Sequence, residues 1–134
     1  MFKLIKIINS GVNVPEPIRM PKASDKTVKS GTLLTVTNGE LADCGPTSAP
    51  TYVALADAGV SDTVAVCAAI NGNMYFEAPL SESPASLKIG AKVTLATDAD
   101  GAAYGVSATV SGGVATVIDL CGATSAGDKI TVKF

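Results

Sequence analysis

The 134-residue chain has no histidine and no tryptophan, and only three phenylalanines and three tyrosines. Without imidazole there is no His-based general acid or base and no His metal ligand. Six aromatic rings are too few for a base-stacking platform. Charged residues make up 16% of the chain, below the usual figure of roughly a quarter. Little is left for a phosphate-binding face, so nucleic acid is not an expected partner. Cysteine is scarce and odd in number: Cys44, Cys67 and Cys121, with no C-x-x-C pair and hence no recognisable zinc site. Cys67 in VAVCAAI and Cys121 in VIDLC lie in apolar runs and are expected to be buried, inert thiols. That fits a reducing cytoplasm, with a single disulfide in an oxidising compartment as the alternative. No run approaches the roughly 20 apolar residues of a membrane span. MFKLIKII meets Asn9, Ser10 and Gly11 too soon for a signal h-region. The expectation is a soluble protein with no membrane partner.

What is present points to one small β domain. Ala, Gly, Ser and Thr supply 57 residues, and 47% of the chain is apolar, enough for one packed core of ordinary domain size. Small side chains suit a narrow β interior in which small and large residues alternate.

Charge is unevenly spread. Residues 1–30 carry Lys3, Lys6, Arg19, Lys22, Lys26 and Lys29 against Glu16 and Asp25, whereas residues 31–134 carry four lysines against ten acids. Opposite fields on two parts of one chain favour contacts between them, within a copy or between copies. FKLIKII reads as a short strand. Pro15, Pro17 and Pro21 in VPEPIRMP then fix φ and remove donors, so this stretch is extended and cannot be a central strand. With apolar Val14, Ile18 and Met20 in it, residues 1–30 read as an extended basic arm laid across a surface, ahead of a body at 31–134.

From Gly31 onward, turn signals recur roughly every 8–12 residues, the spacing of a sandwich or barrel. GTLLTVT and ELADC flank Asn38-Gly39, a strong hairpin signal because both central residues of a type I′ turn need φ > 0. In TYVALADA, Tyr52, Ala54 and Ala56 alternate with Val53 and Leu55. DTVAVCAAI and NMYFEAPL flank Asn71-Gly72, which predicts a second hairpin by the same rule. AKVTLAT alternates Lys92, Thr94 and Ala96 with Val93 and Leu95. Residues 98–101 turn into AAYGVSATV, Gly112-Gly113 turns into VATVIDLC, and Ser125-Ala126-Gly127 precedes the alternating DKITVKF. PASLKIG reads as one helical turn or the start of a strand. The fold class is therefore all-β, a small barrel or sandwich of about eight to ten short strands preceded by the arm.

Candidate chemistry is thin. Asp98-x-Asp100-Gly101 has the start of a calcium loop, but its twelfth position is Thr109 and strands flank it, so it reads as a turn. Gly122 to Lys129 has the outline of a phosphate loop, but Asp128 stands where the motif needs lysine, and a strand follows where it needs a helix. Glu77 and Glu82 form a conceivable glycosidase pair, yet they flank Pro79 near a strand end, where surface carboxylates are commonplace. No Ser-x-x-Lys occurs. An enzyme is not expected, nor is any cofactor, metal or catalytic residue.

GTLLTVTNGELADC, YVALADA, VAVCAAI with the turn into EAPL, KIGAKVTLATDADG and GDKITVKF together resemble the small phage head-decoration, or capsid cement, proteins. The resemblance covers roughly residues 29–134 and rests on composition and strand order. It implies a structural virion protein on the capsid exterior, made in the bacterial host cytoplasm. Its partners would be the major capsid protein and copies of itself, with a trimer favoured. Many weak contacts repeated over a lattice would add up by avidity. On this reading the arm bridges subunits: Ile5, Ile7, Ile8, Val14, Ile18 and Met20 supply apolar contact, and Arg19, Lys22, Lys26 and Lys29 supply charge. The alternatives are a tail or spike accessory protein, or a carbohydrate- or surface-binding module; the latter would depend on Tyr52, Tyr75, Phe76 and Tyr104 for ring stacking.

Overall fold

Alternating side chains and frequent turn residues divide the chain into twelve strands and no helix among the described residues, which in this computed structural model are 1–8, 11 and 14–134. The strands are β1 (Lys3–Ile7), β2 (Ile18–Pro21), β3 (Leu33–Thr37), β4 (Glu40–Asp43), β5 (Tyr52–Ala54) and β6 (Val64–Ala69). They continue with β7 (Met74–Pro79), β8 (Lys92–Val93), β9 (Leu95–Thr97), β10 (Ala103–Val106), β11 (Ala115–Asp119) and β12 (Lys129–Lys133). Two antiparallel sheets form a sandwich. One has five strands in the order β1-β7-β12-β11-β8. The other has seven, in the order β2-β6-β5-β3-β10-β9, with β4 also paired to β3.

Strand parity makes the core. Leu33, Val53 and Ala68 of the larger sheet face Phe76, Ala78, Ile130, Val132 and Val117 of the smaller one, all buried in one cluster. Phe134 sets its ring beside both Phe2 (centroids 5.8 Å apart) and Phe76 (5.6 Å). The residues of opposite parity, Leu34, Ala54, Ala65 and Cys67, form a second, smaller core on the outer face of the larger sheet. Val28 and Ala58 join that cluster and are tied to each other by two backbone hydrogen bonds of 2.9 and 2.8 Å.

Residues 1–30 do not stand apart as an arm. β1 pairs with β7, β2 pairs with β6, and Phe2, Lys22 and Val28 are buried. The prolines place β2 at a sheet edge, as the missing donors require. Gly31 has φ +83°, and a Cβ there would stand 2.5 Å from the Phe2 carbonyl oxygen. Only glycine lets the N-terminal segment come this close.

Asn38-Gly39 makes the expected hairpin, with φ of 52° and 83°. Asn71-Gly72 does not. β6 and β7 lie in different sheets, and the connection is an Asx turn in which Asn71 Oδ1 accepts the Asn73 N–H at 3.0 Å. AKVTLAT also departs from the reading of one alternating strand. Val93, Thr94, Leu95 and Ala96 are all buried, because the chain leaves the smaller sheet after β8 and enters the larger one at β9. Thr94 carries the crossing: its N–H donates to the Thr109 carbonyl, its own carbonyl accepts the Ser107 N–H, and its hydroxyl lies 3.2 Å from that of Ser107. Residues 84–90 form turns, neither helix nor strand. The body from Gly31 onward holds ten strands, within the expected eight to ten, and β1 and β2 from residues 1–30 bring the total to twelve.

Phe76→Ala is expected to cost about 3–5 kcal/mol, because a fully buried ring leaves a cavity between two sheets. Gly113→Ala, whose Cβ would lie 2.3 Å from the Lys92 backbone, is expected to cost about 1–3 kcal/mol. Gly39→Ala meets no atom within 4 Å and pays only for its turn conformation. Urea denaturation of the three variants checks this order.

Candidate interaction surface

The carboxylates that invited a catalytic reading serve the fold. Glu77 Oε1 accepts from Lys129 Nζ at 2.8 Å, and that hydrogen bond holds the Glu77 carboxyl below its usual range. Glu82 Oε1 accepts the Ala108 N–H at 2.9 Å. In the residue 122–129 loop, Asp128 Oδ2 takes the N–H groups of Thr124 and Ser125 at 2.8 and 2.9 Å, and these bonds hold its carboxyl low. Those amides are therefore turned to an internal carboxylate rather than to a phosphate. Asp98 Oδ1 accepts from the Asp100 and Ala102 N–H groups, closing the turn before β10. Among the described residues no group of three His, Cys, Asp or Glu is placed to hold a metal ion.

The bridging residues expected from sequence are dispersed. Lys22 is 2% exposed and donates to the Ala23 carbonyl at 2.8 Å. Lys26 pairs with Asp43 at 2.5 Å. Met20 packs on the outer core and Ile7 on the inner one. Ile8 is half-buried, and its N–H donates to the Asn73 carbonyl. Arg19 and Lys29 are exposed. Ile5 (40% exposed), Val14 (74%) and Ile18 (39%) present apolar surface to solvent. Val14 and Ile18 line a groove of about 410 Å³ with Ile7, Ala68, Ala69 and Met74. The groove lies between the edge strands β1 and β2.

A second surface was not legible as a charge cluster in the sequence. On the outer face of the five-stranded sheet, Lys6 lies opposite Tyr75, and Thr116 lies between Lys133 and Lys92. The pairing of Val132 with Phe76 brings Lys133 next to Tyr75. One row across all five strands thus reads Lys6, Tyr75, Lys133, Thr116, Lys92, without a carboxylate. Lys3, Glu77, Thr131 and Asp119 form the adjacent row. The trace of this face in the sequence is the period-two placement of Lys129, Thr131 and Lys133.

The thiols divide differently from the sequence expectation. Cys44 and Cys67 are buried, and Cys121 is exposed in a turn at φ 52°, because β11 ends at Asp119. Burial, with the Asp43 charge adding to it, pushes the Cys44 thiol up to about 12; burial pushes Cys67 up to about 11. Both therefore stay protonated at mildly alkaline pH, and the thiolate is the nucleophile. An aromatic disulfide reagent at about pH 8 is expected to label Cys121 alone in the native protein and all three thiols in urea.

The depressed Glu77 and Asp128 carboxyls have a pH consequence. Their stabilisation is complete above the ordinary carboxylate range near about pH 4 and fades as pH falls through the lower folded values. Melting curves at descending pH are expected to show a shallower acid loss for Asp128→Asn than for the parent chain.

No family model matches the chain, and no curated protein matches it in sequence. Among solved structures, its fold is similar to that of the N base of the head fiber protein gp8.5 of bacteriophage phi29. The TM-score is 0.55 and the identity 17%, over 89% of this chain and 94% of that one.

Proposed function

We propose that this chain is a structural protein of a phage head, seated on the capsid exterior as a small homo-oligomer, with a trimer favoured, and bridging neighbouring subunits of the major capsid protein. The observation that carries the reading is the likeness in fold to a phage head-fiber base, which spans nearly the whole of both chains. The sequence resemblance to head-decoration proteins supports it independently. So does the surface, where exposed apolar side chains suit protein contact. The function needs no reaction: each copy covers a seam, and repetition over a closed lattice turns modest contacts into tight binding.

Among the residues first read as an arm, Ile5, Val14 and Ile18 remain available for the shell. Co-sedimentation with purified heads of the phage that encodes the chain tests this. Ile5→Asp with Ile18→Asp alters only half-exposed positions, so the fold is expected to survive. Head affinity is expected to fall about tenfold or more, the equivalent of about 1.5 kcal/mol of lost apolar burial. Failure of the parent chain to bind heads would refute the reading. Unchanged binding by a folded double variant would remove these residues from the contact.

A further inference from the structure

We infer that the lysine-bearing outer face of the five-stranded sheet is a docking surface for a second copy of this chain, received at the carboxylates of Asp25, Asp43, Asp98 and Asp100. The inference rests on the self-association in the reading above and not on capsid binding.

The row Lys6, Lys133, Lys92 occupies the first, third and fifth strands, which spaces their backbone positions about 10 Å apart at the usual strand separation. None of these three has an ion-pair partner among the described residues. Lys3 and Lys129 flank the row, and the carboxylates beside it are Glu77, paired with Lys129, and Asp119, which accepts the Cys121 N–H. Half-buried Tyr75 sits between Lys6 and Lys133, an amphipathic ring of the kind enriched in protein interfaces. A cationic face this regular stands on a chain whose net charge is −2.

The complementary surface is on the same molecule. A cleft of about 300 Å³ is lined by Asp25, Asp43, Asp98 and Asp100, together with Lys26 and Lys29. Lys26 neutralises Asp43, and backbone amides engage one oxygen of Asp98. Asp25 and Asp100 have no partner among the described residues. Thr32 also lines this cleft, and its buried hydroxyl lacks a hydrogen-bond partner.

The two surfaces belong to different parts of the sandwich. Face-to-face pairing of two lysine rows would set like charges together. Face-to-cleft pairing is attractive and head-to-tail, the kind of contact that closes small rings. Nucleic acid is the weaker candidate, because Glu77 and Asp119 interrupt the face and Tyr75 is the one ring in the lysine row.

Sedimentation velocity of the full chain, at low salt and at about 0.5 M salt, where the Debye length falls to a few ångströms, tests the assignment. The parent is expected to associate at low salt and dissociate by about tenfold or more as salt rises. Lys6→Glu/Lys92→Glu/Lys133→Glu and Asp25→Lys/Asp100→Lys, which spares the Asp98 turn, are each expected to lose self-association while keeping the parent melting curve, and to associate when mixed. A parent that stays monomeric at high concentration overturns the inference, as does a folded triple variant that associates like the parent. Binding of a 20-bp DNA duplex that the triple variant loses, with no self-association, also overturns it. Head binding that survives all these charge changes in a monomeric chain sinks this contact and leaves the capsid reading intact. Charge-dependent association without head binding does the reverse.

Discussion

Burial of one face of each sheet against the other is the constraint on which the rest depends. Phe76, Leu33, Ile130, Val117 and Val132 have no exposed surface, and together they exclude water from the space between the sheets. Apolar area removed from water contributes about 25 cal/mol per Å², and most of the available side chains here are small. Close approach of the sheets has to compensate for the lack of bulk. Gly105 shows how close: a Cβ there would lie 2.4 Å from the Pro79 carbonyl oxygen of the other sheet.

The first thirty residues contribute to this packing twice. Phe2 enters the inner core and meets Phe134 near the end of the chain, while Val28 helps cover the outer core. A segment built in this way cannot swing free as a tether without uncovering both clusters. Its exposed positions, Ile5, Val14 and Ile18, are thereby held on a rigid scaffold. A contact surface fixed in advance loses little conformational entropy when it meets a partner.

The same economy applies to charge. Carboxylates that would suggest catalysis in isolation accept backbone amides in turns or pair with a lysine, so they stabilise loops. The charges left unpaired lie on broad faces. That arrangement suits a protein acting through contact area and complementarity, and electrostatic fit of this kind selects partners more than it adds raw affinity.

The sequence by itself determined what depends on neighbours along the chain. Period-two alternation marked most of the strands, and Asn38-Gly39 marked a tight hairpin because its φ > 0 requirement is local. The prolines announced that β2 would lie at an edge, and Asp128 declared that the loop before β12 would not hold phosphate. Tertiary structure alone decided which sheet each strand joined. Asn71-Gly72 and Thr94 sit where the chain crosses between layers, and local patterning is the same whether the next strand pairs in its own sheet or across the core. It also decided that residues 1–30 would be woven into both sheets, that Cys121 would emerge at a strand end, and that lysines from three separate strands would share one face. Register across a sheet is set by long-range pairing, so charges far apart in sequence become neighbours only when the strands are in place.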